Sequence, residues 1–224
     1  MFQVKTCSDA IPIIPGIPMV QSLPQLLTFD EFLAWYPDDG CIYELIDGRV
    51  VPVNPTGPHE KLSGFLVNQL NRAIDQVSLP YFIPRTATVK PFREQAGYKP
   101  DVVMLDERSF KDEPRWDRES TIVLGATCKL VIEVASTNWR DDYERKLPDY
   151  EEMGIAEYWI VDYLGIAATR HIGKPKLPTI SVYILEDGEY QLTQFRGDER
   201  IESSVLPTLA LTVDQIVQAG RVTE

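Results

Sequence analysis

Two short apolar segments of the chain each carry one carboxylate, and together they could hold a divalent cation. Asp101 opens the β-branched run at residues 102–105, and Glu133 lies between Ile132 and Val134. Both segments have the length and composition of strands. A carboxylate inside a buried strand is costly unless it is paired or bound to a metal. Two such groups on neighbouring strands would supply the oxygen ligands that a hard cation requires.

A structural interpretation also explains each carboxylate. Asp101 could cap a turn, and Glu133 could pair with an arginine at the end of its strand. From these two residues alone, the structural interpretation is favoured. The segment that follows favours a functional site instead.

The segment after residue 140 predicts a helix that ends at Gly154, a residue type suited to the position after a helix. Asp142, Lys146 and Tyr150 recur at intervals of four and therefore share one helix face. Pro148 removes one helical hydrogen bond, so the helix either kinks or begins its first regular turn near Lys146.

The composition limits which kinds of protein this chain could be. The chain has 224 residues and a net charge of −12, from 34 acidic and 22 basic residues. This acidity argues against non-specific nucleic-acid binding through a basic patch, but not against an enzyme that meets phosphates through a metal. No apolar run has the length of a membrane span. Three well-separated cysteines predict free thiols and a cytoplasmic location.

The elements that position these residues follow from local patterns. Residues 1–26 predict an extended, proline-rich arm, and residues 27–224 a single domain. Thr28 and Glu31 form a capping box that begins a short helix. Asp47 and Gly48 predict the turn of a hairpin with Glu44 on its first strand, where a solvent-facing role is the simpler explanation.

The remaining elements complete a layered α/β pattern. A helix is expected from about His59 to Val77, where a lone histidine is usually a surface or capping residue. A polar flap is expected at residues 106–120. Strands are expected at residues 81–91, 156–163, 167–171, 179–185 and 190–195, and a closing helix at 213–219. This order predicts a central mixed sheet flanked by helices, with additional β-hairpins.

Taken together, these segments resemble the PD-(D/E)XK, or restriction-endonuclease-like, nuclease superfamily, and within it the Uma-type family of restriction endonucleases. The resemblance extends from about Thr28 to Leu211. It rests on Glu44 within residues 43–48, His59 at a helix start, Pro100-Asp101, Ile132-Glu133-Val134, the trio Asp142, Lys146 and Tyr150, and residues 154–162.

The resemblance implies an α/β restriction-endonuclease-like core and metal-dependent phosphodiester hydrolysis. Asp101, Glu133 and the Val134 carbonyl would bind Mg²⁺, with Mn²⁺ as a substitute, and Glu44 would join them directly or through water. Lys146 would position a water or neutralise charge in the transition state. His59 and Tyr150 would support the ligands without binding the ion.

The lysine departs from the pattern of the superfamily. That lysine normally stands two residues after the second acid, where this chain has Ala135. Lys146, in the following helix, fits the position that the Uma-type family uses. Lys99 is a rival, because it lies two residues from Asp101 on the same face. Lys129 is roughly 13 Å from Glu133 along the strand.

The implied function is that of an Mg²⁺-dependent endonuclease acting on nucleic acid, with DNA favoured over RNA. An inactive nuclease fold that serves as a binding or assembly module is the alternative. A purely structural domain is a third possibility, which the trio Glu44, Asp101 and Glu133 disfavours. The site could hold one or two metal ions, and the chain could form a homodimer.

Overall fold

The computed structural model describes residues 26–221. The predicted arm therefore lies outside the described residues except for its last position, and the division into an arm and one domain stays a prediction.

The first helix and the hairpin form as the local patterns predict. Helix α1 (Phe29–Trp35) begins with the Thr28–Glu31 capping box, in which each residue accepts a hydrogen bond from the backbone of the other. Strands β1 (Ile42–Ile46) and β2 (Arg49–Val53) pair antiparallel. Asp47 and Gly48 both have positive φ, as a tight hairpin turn requires. Helix α1 and β1 share a small apolar cluster.

A mixed six-stranded sheet is the centre of the fold, which confirms the predicted fold class. The remaining strands are β3 (Tyr81–Phe82), β4 (Thr88–Val89), β5 (Val102–Asp106), β6 (Thr121–Ile122), β7 (Cys128–Val134), β8 (Glu157–Asp162), β9 (Thr179–Glu186) and β10 (Glu189–Phe195). The sheet order is β10-β9-β8-β7-β5-β3, and its one parallel pair is β7 with β8. Strands β4 and β6 form a separate parallel pair.

Helices cover both faces of this sheet. They are α2 (Gly57–Val77), α3 (Trp116–Glu119), α4 (Trp139–Asp141), a π-helical segment (Asp142–Lys146), α5 (Leu147–Met153), α6 (Thr169–Ile172) and α7 (Val213–Gly220). Helices α2 and α7 pack against Leu130 and Ile132 of β7. Because side chains alternate along a strand, Val131 and Glu133 face the opposite layer, which contains α5.

Three predictions about local structure are corrected. The single strand predicted at 81–91 is two short strands in different sheets, since Pro84 between them cannot donate to a ladder. The polar flap predicted at 106–120 holds a 3₁₀-helix (Glu107–Asp112) and α3, and is anchored by stacked Phe110 and Trp116, with ring centroids 4.6 Å apart.

The strand predicted at residues 167–171 is instead helix α6. The amides of Ile166 and Ala167 donate to the Asp162 carboxylate at 3.0 and 2.8 Å, so these amides are not available to a strand ladder. The Ala168 carbonyl then accepts hydrogen bonds from the amides of His171 and Ile172, which begins a helical turn.

Pro148 lies at the start of the regular helix α5, immediately after the π-helical segment. This position confirms the expectation that the first regular turn begins near Lys146. Proline, which has no amide hydrogen, falls where the π-helical hydrogen bonding ends and the regular helix begins.

Cys41 is disulfide-bonded, whereas Cys128 is free and buried. The expectation of free thiols is therefore wrong for Cys41, because sequence separation does not tell which residues meet in space. No helix within residues 26–221 has both the length and the apolar character to cross a membrane.

Candidate active site

Adjacent strands bring Asp101 and Glu133 together. Strands β5 and β7 are antiparallel with Val102 opposite Ile132, so Asp101, one residue before β5, stands beside Glu133. Both side chains line one cleft of about 570 Å³. The predicted juxtaposition of the two carboxylates on neighbouring strands is present.

Glu44 reaches the same cleft from the hairpin. The amides and carbonyls of Leu45 and Gly97 exchange hydrogen bonds at 2.8 and 2.9 Å, which fixes β1 beside the segment that leads to Asp101. A side chain at Gly97 would overlap the Phe29 ring, since a Cβ there would lie 2.5 Å from a ring carbon. Glu44 is 4% exposed, so the expectation of a solvent-facing role is wrong.

Lys146 is the centre of the acidic cluster. Its ammonium lies 3.1 Å from Oε2 of Glu133, 3.3 Å from Oε1 of Glu44 and 3.4 Å from Oδ1 of Asp142. The residue is 4% exposed. Burial lowers the pKa of Lys146, but the three carboxylates outweigh burial and hold the pKa well above its usual value. The carboxylates therefore favour the charged form of Lys146.

Asp142 is a fourth carboxylate of the site that the sequence did not assign. Its side chain is 7% exposed and faces Lys146 one helical turn along. Burial raises the pKa of Asp142 to about 7, with Lys146 acting in the opposite direction and Asp101 and Glu44 adding to the rise. The four-residue spacing to Lys146 was the available signal. The π-helical turn, a feature often found at functional sites, turns both side chains inward.

Glu133 is held on both of its oxygens. The Tyr150 hydroxyl donates to Oε1 at 3.0 Å, and the Lys146 ammonium contacts Oε2. Burial raises the pKa of Glu133 well above its usual value, and Lys146 opposes the rise. Because Tyr150 is buried, the pKa of its phenol is also raised, so it stays a hydrogen-bond donor. Tyr150 thus fixes the position of the Glu133 carboxylate.

Asp101 is also held on both oxygens. Oδ1 lies 2.7 Å from Nε2 of His59, and Oδ2 accepts a hydrogen bond from the Val134 amide at 2.7 Å. Burial lowers the pKa of His59, but the hydrogen bond to Asp101 and the charge of Asp101 outweigh burial and raise it. His59, near the start of α2, therefore orients Asp101, and Asp101 is tied directly to the strand that carries Glu133.

Lys99, the rival lysine, lies in the same cleft but has different partners. Its backbone amide donates to Oε1 of Glu44 at 2.8 Å. Its ammonium lies 5.6 Å from the centre of the Tyr36 ring. Both candidate lysines are thus at the site, and Lys146 is the one enclosed by carboxylates.

An outer ionic network fixes the elements around the cleft. Arg93 donates to Asp149 of α5 at 2.8 and 2.9 Å and to Asp47 of the hairpin turn at 2.8 Å. Asp149 also accepts from the Tyr98 hydroxyl, and Asp47 accepts from Arg145 at 2.7 Å. The network ties the strand that bears Glu44 to the helix that bears Lys146, and no sequence pattern predicted it.

The chemistry of the donor set suits a hard cation, although a ligand cage is not formed. Five carboxylates, two lysines and one histidine line this cleft. Among residues 26–221, no three His, Cys, Asp or Glu side chains form a group that could hold a metal. Asp101 is engaged by His59 and Val134, and the Lys146 ammonium lies among the other carboxylates. Mg²⁺ usually takes only one or two carboxylates and keeps several waters, so Asp101 and Glu133 are sufficient donors.

Comparison with known proteins supplies the family. The family model Uma2, described as "Putative restriction endonuclease", matches residues 29–214. The chain belongs to the Uma2 family. Its fold is similar to that of a crystal structure from Anabaena variabilis ATCC 29413, described as "a putative nuclease belonging to DUF820". The TM-score is 0.65 at 16% identity, over 87% of this chain and 99% of the other. No curated protein matches this Uma2 chain.

Proposed function

We propose that this Uma2 protein is a metal-dependent endonuclease that hydrolyses phosphodiester bonds, with DNA as the favoured substrate. The observation that carries the proposal is the buried Lys146 ammonium among Glu44, Glu133 and Asp142, beside Asp101 in an open cleft. Such a cluster is expensive to bury for stability alone, because each charge loses its hydration. The family description and the nuclease fold of the structural relative support the same conclusion.

Each group of the site has a defined role in the proposed reaction. Asp101, Glu133 and the Val134 carbonyl would hold Mg²⁺ or Mn²⁺, with Glu44 completing the site directly or through water. The ion would supply Lewis-acid stabilisation of the negative charge that develops on the phosphate. Lys146 keeps the carboxylates from repelling one another and would position the reacting water or neutralise charge in the transition state.

The alternative, an inactive nuclease fold that binds or assembles, has its own support. The chain is strongly acidic, and within the described residues no three metal-binding side chains form a group. The acidity bears on the affinity for nucleic acid, and the missing group of three bears on the affinity for metal. Cleavage and binding are therefore measured separately, because binding without cleavage fits the inactive module and cleavage fits the nuclease.

The deciding experiment incubates the purified protein with plasmid DNA and with RNA in Mg²⁺, Mn²⁺ or EDTA. We expect cleavage of DNA in either metal, none in EDTA, and a loss of at least about 10²-fold in Glu133→Gln and Lys146→Met. Lys111→Met, at an exposed position that does not line the cleft, is the matched control. A wild type that binds nucleic acid but never cuts it would support the inactive module instead.

A further inference from the structure

The two lysines of the cleft differ in what they are free to contact. Among the described residues that line the cleft, His59, Lys99 and Lys146 carry basic side chains. His59 pairs with Asp101, and Lys146 is surrounded by three carboxylates. Within residues 26–221, no carboxylate forms an ion pair with the ammonium of Lys99, so its charge is available to a ligand.

The surroundings of Lys99 keep this charge in place. Its ammonium rests on the face of Tyr36. The Tyr36 hydroxyl accepts a hydrogen bond from the Tyr43 amide at 3.0 Å, so the ring is fixed to β1. Glu44, whose charge acts on the Lys99 ammonium, is occupied by the Lys99 backbone amide and by Lys146. The lysine stem is therefore pre-positioned, which reduces the entropy that a bound phosphate would otherwise cost.

Because the cleft is lined by carboxylates, an anionic ligand needs the positive charge of Lys99. A phosphodiester entering the cleft meets Glu44, Asp101, Glu133 and Asp142, and the charge of Lys146 is already offset by its three partners. Binding of nucleic acid depends on cations that neutralise phosphates. Lysine serves this purpose as a point charge.

We propose that Lys99 contacts a phosphate of the substrate, whereas Lys146 serves the carboxylates. This inference rests on the proposed function and adds a substrate-binding residue to it. Replacement of Lys99 should therefore change the affinity for substrate and its dependence on salt, whereas replacement of Lys146 should change the rate of the chemical step.

The test compares Lys99→Met with Lys90→Met. Lys90 is a matched control, because it is also half-buried with its ammonium 5.7 Å from an aromatic ring, that of Phe29, and it does not line the cleft. Binding of a fluorescently labelled DNA duplex is measured in EDTA at a series of NaCl concentrations. The salt dependence of kcat/KM is measured with Mg²⁺.

We expect Lys99→Met to weaken binding at low salt, to raise KM more than it lowers kcat, and to reduce the slope of log K against log salt by about 0.9. Lys99→Arg should retain the wild-type slope, and Lys90→Met should match the wild type. An unchanged slope in Lys99→Met, with normal wild-type cleavage, would overturn the role of Lys99 alone. A wild type that neither binds nor cuts nucleic acid would overturn the proposed function as well.

Discussion

The ammonium of Lys146 lies 3.1 Å from Oε2 of Glu133, although the lysine belongs to a helix and the glutamate to a strand. The helix that follows β7 turns back over the sheet before β8, and its π-helical segment directs Lys146 toward Glu133. This contact brings a lysine to the second acid of the site even though Ala135 occupies the usual position of that lysine.

Replacement of Lys146 should affect stability as well as activity. Lys146→Met leaves Glu44, Glu133 and Asp142 buried without their cation, and breaking such a buried cluster costs about 3–5 kcal/mol. Burial raises the pKa values of Glu133 and Asp142 even with Lys146 present, so without the cation these two groups favour their protonated forms, and the variant loses stability as pH rises. We therefore expect the variant to be much less stable than the wild type at about pH 8 and close to it at about pH 5 by urea denaturation. An equal loss of stability at both pH values would show that buried carboxylates without a cation are not the cause.

Metal binding should depend on Asp101. Asp101→Asn keeps an oxygen for the Val134 amide but removes the negative charge that a divalent cation requires. Titration calorimetry with Mn²⁺ should show a site in the wild type that is absent from the variant. Asp75→Asn, on the exposed face of α2, should bind Mn²⁺ as the wild type does. Equal binding by the wild type and Asp101→Asn would place the metal elsewhere.

His59 should act through Asp101 and not on the substrate. Its ring lies 2.7 Å from Oδ1 of Asp101. Residues that orient metal ligands typically contribute about 10–100-fold to metal affinity or activity. We expect His59→Ala to weaken Mn²⁺ binding within that range while the affinity for DNA in EDTA stays unchanged. Loss of DNA affinity with normal Mn²⁺ binding would instead indicate direct contact with the substrate.

Asp106 should contribute to stability against acid. Hydrogen bonds from Arg108 hold the pKa of Asp106 below its usual value in the folded protein. A lowered pKa gives stability that is present above the unfolded value of about 3.9 and is lost as pH falls through the folded value. Asp106→Asn should therefore be less stable than the wild type at neutral pH, and the difference should vanish in strong acid. Asp112→Asn, at an exposed position, is the control in thermal melts across pH.

Local patterns determined most of the elements and one part of the site. The Asp47-Gly48 turn, the Thr28–Glu31 cap and the apolar run of β7 depend on backbone conformation and side-chain alternation, which neighbouring residues set. The same reasoning placed Asp142, Lys146 and Tyr150 on one helix face. Glu133 could be singled out because a carboxylate within an apolar strand needs a partner.

Tertiary structure decided which partner each of these groups meets. The sequence did not show that Glu44 is buried, that Asp142 joins the cluster, or that Lys99 lies against Tyr36 while Lys146 is enclosed. It also missed the Asp162 contacts that make residues 169–172 a helix. These outcomes depend on contacts between residues far apart in the chain, which are set by how the hairpin, the sheet and the helices pack together. The periodicity within one segment does not contain this information.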